Sequence, residues 1–210
     1  LVNMKNWKER LLLGYRTFTS GKANVQQSLY KDLIVNGQKP KIMVICCSDS
    51  RVNPSDIFHT NPGDIFEHQN VANIVPGVDS LGSSYGTLAA IEYAVTVLKV
   101  EVVVVIGHEA CGGIKGCIDG MGYNSSGYVG KWISIFNEVH ERLLKLNIPK
   151  EKLQLEMELE GVRQSLKNLM TFNFVEEAVN SGQLELLGTH FSISTRTLSI
   201  MDNKGEFSSF

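Results

Sequence analysis

Between Lys41 and Cys47 the chain runs Ile42-Met43-Val44-Ile45 without a polar break, and from Glu101 it runs Val102-Val103-Val104-Val105-Ile106. Unbroken apolar runs of this length predict strands covered on both faces, as in a parallel sheet. Ile65 to His68 reads as a short second strand after the turn signal Asn61-Pro62-Gly63-Asp64. Leu184 to Thr189 and Ser192 to Met201 read as a late strand pair, with turns supplied by Gly182 and the polar Thr189-His190 region. Helical spacing appears in Asn6 to Ser20, where Trp7, Leu11, Leu12, Tyr15 and Phe18 share a stripe, and in Thr87 to Leu98, where Leu88, Ile91, Ala94, Val95 and Leu98 do. A further helix can begin after Gly112-Gly113. Lys131 to Leu146 and Glu151 to Val179 are helical, separated at Pro149, while Gly120 to Gly130 and the stretch from Pro76 to Ser84 read as a loop and a flexible connection.

This order predicts an α/β fold: a mostly parallel central β-sheet of about five strands, the last one antiparallel, flanked by helices, with an N-terminal helical arm over residues 1–35. No repeat, low-complexity tract or long linker divides the chain, so a single domain over 1–210 is expected. In parallel sheets ligands bind beyond the carboxyl ends of the strands. Cys47 and His108 lie at the carboxyl ends of the two best strands, which turns two distant segments into one candidate site.

Composition narrows the function classes. The 210 residues are 43% hydrophobic and 20% charged, with a net charge of -2, an ordinary soluble balance that gives no reason to expect nucleic acid or an anionic membrane as partner. No apolar run approaches the ~20 residues of a membrane span. Leu1 to Arg10 shows no basic-then-apolar signal pattern, and the chain opens on Leu1, so the natural start is left open. Four cysteines in a chain of this length do not read as a disulfide framework, and a reducing, cytoplasmic setting is expected, with metal or catalytic duty for some of them.

Cys47, His108 and Cys111 offer thiolate and imidazole donors, which zinc favours, and three protein ligands leave a fourth position for water or substrate. Cys46 neighbours Cys47 and on a strand points to the other face, so it is read as a core residue, as is Cys117. Asp49 and Arg51 follow Cys47 at a spacing that lets carboxylate and guanidinium pair near the metal. Asp49 either accepts a hydrogen bond from a zinc-bound hydroxide or fills the fourth position itself. Gly112 and Gly113 let backbone approach the site or turn sharply into a helix, and Glu109 is read as solvated or locally bonded. A phosphatase loop needs Arg six residues after its Cys, which neither Cys46 nor Cys47 meets, and no Cys-x-x-Cys pair is present.

These residues resemble the β-class carbonic anhydrases across nearly the whole chain. The match runs through Gly37-Gln38 before Pro40, Cys47-Ser48-Asp49-Ser50-Arg51-Val52, Pro62-Gly63-Asp64, Asn70-Val71-Ala72-Asn73, Ala90-Ile91-Glu92-Tyr93-Ala94 and Gly107-His108 through Cys111-Gly112-Gly113. The resemblance implies a zinc enzyme interconverting carbon dioxide and bicarbonate, with Cys47, His108 and Cys111 as ligands and Asp49 and Arg51 as catalytic dyad. It implies Gln38 and Gly112 at the substrate, Phe66, Val71 and Tyr93 as the wall around carbon dioxide, partly supplied across a dimer interface, and a homodimer or homotetramer. Two positions depart from the subclass that holds a regulatory bicarbonate: Gln69 stands where an Arg is usual, and Val44 stands where that subclass has Trp. An open, unregulated site is therefore expected. Two other readings keep the metal: the same scaffold acting on carbon disulfide or carbonyl sulfide, or a zinc-binding protein without turnover.

Overall fold

The computed structural model describes residues 6–80, 85–124 and 126–210; Leu81 to Ser84 of the expected connection and Ser125 of the expected loop lie outside them. Contacts divide the chain into two compact units, Leu1–Gln38 and Lys39–Phe210.

The first unit is helical: α1 (Trp7–Ser20), α2 (Lys22–Val25) and α3 (Gln27–Asn36). Asn6 caps α1 by accepting the Glu9 N–H, and Gly37 ends α3 at a φ of 73° that favours glycine. The helical expectation for Asn6 to Ser20 is met, and α2 and α3 are additional. No residue of α1 is buried, so Trp7, Leu11, Leu12, Leu13, Tyr15 and Phe18 keep their apolar stripe exposed.

The second unit is built on six strands: β1 (Ile42–Cys47), β2 (Ile65–Asn70), β3 (Val102–His108), β4 (Glu185–Ser192), β5 (Thr197–Met201) and β6 (Phe207–Ser209). Their order is β2-β1-β3-β4-β5-β6, with β1 to β4 parallel and β5 and β6 antiparallel. The α/β class and mostly parallel sheet agree with the sequence reading. Both faces of β1 and β3 are covered, as the apolar runs required. Met43, Ile45, Val103 and Val105 join one core with Ile91, Leu166 and Leu169, while Val44, Cys46, Val104 and Ile106 join another with Phe58 and Phe191.

The helices are α4 (Pro54–Ile57), α5 (Tyr85–Glu92), α6 (Gly112–Ile118), α7 (Met121–Asn124), α8 (Tyr128–Ile133), α9 (Asn137–Lys145), α10 (Lys150–Leu169) and α11 (Asn173–Asn180). A wider π turn, Tyr93–Leu98, continues α5. Several expectations are corrected. The run Glu151 to Val179 is two helices, broken at Met170 to Phe172. Lys131 to Leu146 is broken by a 3-10 turn at Ser134–Phe136, and the expected loop from Gly120 holds α7 and the start of α8. The late turn falls at Ile193 to Arg196, not at Thr189-His190, which lie inside β4. The buried stripe of α10, Met157, Glu158, Gly161, Val162, Ser165, Leu166 and Leu169, packs onto β3 and β4.

From β1 the chain passes first to β2 on one side and then to β3 on the other. That reversal makes the carboxyl end of β1 the switch point where α/β sheets open a crevice. Cys47 ends β1 and His108 ends β3.

Candidate metal centre

Cys47 and His108 reach one point because β1 and β3 are adjacent parallel strands in register, Cys46 facing Ile106. Beyond β3 the chain turns back through Ala110, whose φ of 55° lies in the left-handed region. For an L residue with a side chain this costs about 1–2 kcal/mol, and it persists where the surroundings over-determine it. The turn brings Cys111 to the start of α6, where the Gly113 and Ile114 amides hydrogen-bond to its thiol. Amides at a helix start stabilise a thiolate.

The Cys47, His108 and Cys111 side chains are buried, and their ligand atoms all lie within 4.8 Å of one another. The two Sγ atoms are 3.9 Å apart. Two thiolates on a tetrahedral zinc, each at ~2.3 Å, would stand ~3.8 Å apart, so the observed spacing fits. His108 Nδ1 is held by the Glu109 carbonyl at 2.9 Å, while Nε2 is buried with no hydrogen-bond partner. An orphaned imidazole nitrogen beside two thiols, its other nitrogen fixed by a carbonyl, is what a metal ligand requires. The donor set therefore suits zinc.

The contact between the two thiols drives their acidities apart. The hydrogen bond from Cys111 pulls the Cys47 thiol below the ordinary range, and the same contact pushes Cys111 up. The Ala72 N–H adds a 3.3 Å hydrogen bond to Cys47 Sγ. Burial instead pushes Cys46 up to about 12, partly opposed by a hydrogen bond with Gln69, and Cys117 up to about 11. Those two thiols stay protonated, and Cys46 belongs to the core on the opposite sheet face, as its neighbour position predicted.

Asp49 and Arg51 form a fork. Arg51 Nε donates to Asp49 Oδ1 at 2.9 Å and Nη2 to Oδ2 at 2.7 Å, and the Arg51 N–H donates to Oδ1 at 2.9 Å. The guanidinium hydrogen bonds hold the Asp49 carboxyl well below the usual carboxylate range. Nη2 also donates to the Ala110 carbonyl at 3.1 Å, tying the loop after β1 to the loop after β3. Glu109 is locally bonded: its carboxylate accepts from the Ser194 N–H and from the Ser192 and Ser194 hydroxyls.

The two glycines after Cys111 differ. A Cβ on Gly113 would stand 2.8 Å from Val71 Cγ1 and 2.9 Å from Ala72 Cβ, so its absence lets the Val71–Asn73 turn close on the metal loop. Gly112 faces open space, with nothing within 4 Å. Val71 is partly exposed, its carbonyl accepting from Trp132 Nε1 at 2.7 Å. Phe66 and Tyr93 face each other with ring centroids 5.9 Å apart. Phe66 pairs with Met43, four residues before Cys47, which places it roughly 13 Å back along the strand from the ligand. Gln38 is exposed and ends the first unit. The residues brought together within the second unit are thus Cys47, Asp49, Arg51, His108, Cys111 and Val71 with its glycine neighbours.

Three polar side chains behind Cys111 escaped the sequence reading. Glu158 Oε1 accepts the Cys111 N–H at 3.1 Å, Gln154 Nε2 donates to the Cys111 carbonyl at 3.2 Å, and His190 Nε2 lies 3.0 Å from Glu158 Oε2. The available signal was Glu158's place on the apolar stripe of α10.

A family model described as carbonic anhydrase matches residues 42–198. Beta carbonic anhydrase 3 of Arabidopsis thaliana is 34% identical over 199 residues, covering 92% of this chain and 76% of that protein. Among solved structures, the β-carbonic anhydrase CcaA superposes with a TM-score of 0.88 at 30% identity, covering 98% of this chain and 100% of that one. A tetrameric β-carbonic anhydrase from Sordaria macrospora superposes at 0.77 with 28% identity, covering 98% of each chain.

Proposed function

The chain belongs to the β-carbonic anhydrase family, and from that premise we propose that it catalyses the zinc-dependent, reversible hydration of carbon dioxide to bicarbonate and a proton. The observation that carries the reading is the convergence of three buried donors, Cys47 Sγ, Cys111 Sγ and the unpartnered His108 Nε2. Zinc held there lowers the pKa of water from 15.7 to roughly 7 and so makes a nucleophile available near neutral pH.

The chain's own residues do the rest. Asp49, kept ionised by Arg51, has one acceptor position left over, on Oδ2, and with it accepts the hydrogen bond that orients the attacking oxygen. Arg51 holds both Asp49 oxygens, which opposes rotation of that carboxylate onto the metal. The absence of Arg at Gln69 and of Trp at Val44 supports the same open site. Val71 and Gly112, at the two loops beside the ligands, form the near side of a dry pocket for an apolar substrate. Phe66 and Tyr93 complete the wall from a second copy, in keeping with the distance of Phe66 from Cys47 in its own chain, and Gln38 is proposed as the amide that hydrogen-bonds bicarbonate. Assembly as a homodimer or homotetramer is part of the proposal, supported by the tetrameric Sordaria relative. A reducing, cytoplasmic setting is also part of it, since all four cysteines are free. Among the described residues no helix is long and apolar enough to cross a membrane.

The test is stopped-flow hydration of carbon dioxide by protein with its zinc quantified, beside Asp49→Ala. Turnover that the variant lowers without losing zinc is expected. Protein with one zinc per chain and no hydration at mildly alkaline pH sinks the reading.

A further inference from the structure

Both main-chain polar groups of Cys111, its N–H and its carbonyl, are bonded by side chains of α10. We propose that Gln154, Glu158 and His190 form a buried positioning clamp that sets Cys111 for metal retention. The inference rests on the reading that Cys47, His108 and Cys111 hold zinc.

Gln154 and Glu158 are one turn apart on α10 and so address the same spot. Glu158 takes the Cys111 N–H, Gln154 takes its carbonyl, and the Gln154 amide also donates to Glu158 Oε1 at 2.7 Å. The remaining carboxylate oxygen meets His190 Nε2 at 3.0 Å. Glu158 is 3% and His190 5% exposed. A carboxylate so buried is tolerated only when its oxygens are partnered, and here both are. His190 stands on β4 directly across from Gly107 of β3. A Cβ on Gly107 would come 2.7 Å from Val162 Cγ2 and 3.4 Å from His190 Cδ2, so glycine there lets α10 and the imidazole approach.

The clamp acts where the backbone needs holding. Ala110, just before Cys111, is in the left-handed region, and its carbonyl is held from the other side by Arg51. The metal loop is thus pinned at Ala110 from the front and at Cys111 from behind. Releasing the rear pin leaves the Cys111 thiol free to swing with its own peptide, and the donor spacing opens. The three clamp side chains act through Cys111 and not on substrate.

The experiment compares zinc-loaded wild type, Glu158→Ala, Glu158→Gln and Gln154→Leu. Zinc release is followed with excess 4-(2-pyridylazo)resorcinol, and the cobalt-substituted proteins supply thiolate-to-metal and d–d absorption bands. Glu158→Ala is expected to release zinc roughly 10–100 times faster, the usual range for loss of an outer partner, with shifted cobalt bands. Glu158→Gln keeps an acceptor for the Cys111 N–H and is expected to stay close to wild type. Gln154 is only half-buried, so Gln154→Leu folds even where Glu158→Ala does not, and it is expected to release zinc faster than wild type. Folded Glu158→Ala or Gln154→Leu with wild-type release and unshifted bands overturns the clamp, whatever happens to the melting temperature. Zinc-binding wild type that fails to hydrate carbon dioxide would remove the proposed function, while the release rates would still judge the clamp.

Discussion

Gly112 and Gly113 are sequence neighbours with opposite surroundings, and a single methyl group on each separates packing from chemistry. At Gly113 the added Cβ would meet Val71 Cγ1 at 2.8 Å and Ala72 Cβ at 2.9 Å, against an ordinary carbon separation of ~3.5–4.0 Å. Val71 can rotate, being 38% exposed, but Ala72 is fully buried, has no rotamers and sits at a φ of 63°. The turn itself must move by roughly 0.6 Å or more to restore that separation, taking with it the N–H that bonds Cys47 Sγ. Overpacking of this kind costs about 1–3 kcal/mol, partly offset by the conformational entropy that alanine saves over glycine. A net loss of about 1–2 kcal/mol corresponds to a melting temperature lower by ~2–8 °C in a domain of this size. Gly112→Ala meets nothing within 4 Å and is expected to melt with wild type or slightly above, while lowering carbon dioxide hydration by narrowing the proposed substrate pocket. Thermal unfolding of both zinc-loaded variants by circular dichroism decides it. Equal melting temperatures for the two would refute the packing argument.

Replacing Arg51 by Ala removes the fork while leaving the three donors in place, so zinc content should stay at one per chain while kcat/KM falls roughly 10–100-fold, read by metal analysis and stopped flow. Treating chelated protein with iodoacetamide at pH 8 should label Cys47 before Cys46 and Cys117, whose thiols are pushed up to about 12 and 11; peptide mapping that finds Cys46 modified as fast would contradict the assignment. Burial lowers the pKa of His68, which bonds Thr87 Oγ1 at 3.0 Å. The unfolded chain therefore takes up this proton first, and stability is lost as pH falls from ~6.5 toward the lower folded value. His68→Gln should show a smaller drop in melting temperature between pH 7.5 and pH 5.5 than wild type does.

What the sequence disclosed follows from the range of the interactions involved. β1 and β3 were legible because burial on both faces leaves an unbroken apolar run, and the ligands were legible because strand ends bring Cys47 and His108 together. β6 was not, since Phe207–Ser209 is three residues long and depends on pairing with β5. Thr189 and His190 looked like a turn because they are polar. They lie in a strand because Glu158, 32 residues earlier in the chain, supplies a buried partner for the imidazole. The break between α10 and α11 has neither Gly nor Pro to announce it; there Thr171 Oγ1 turns to the Asn168 carbonyl and the Val78 N–H instead. Gln154 carries no local mark that separates it from the other polar residues of α10, and Glu158 only its place on the apolar stripe. Their role exists only once α10 lies across the end of β3.

The central claim, an open zinc site that hydrates carbon dioxide, is tested most directly by kcat/KM for hydration against pH from 6.5 to 9 on protein with one zinc per chain. Two thiolates donate more charge than imidazoles would and should raise the pKa of the activated water. The account predicts activity that climbs through this range. A flat profile, or none of the activity at any pH, would contradict it.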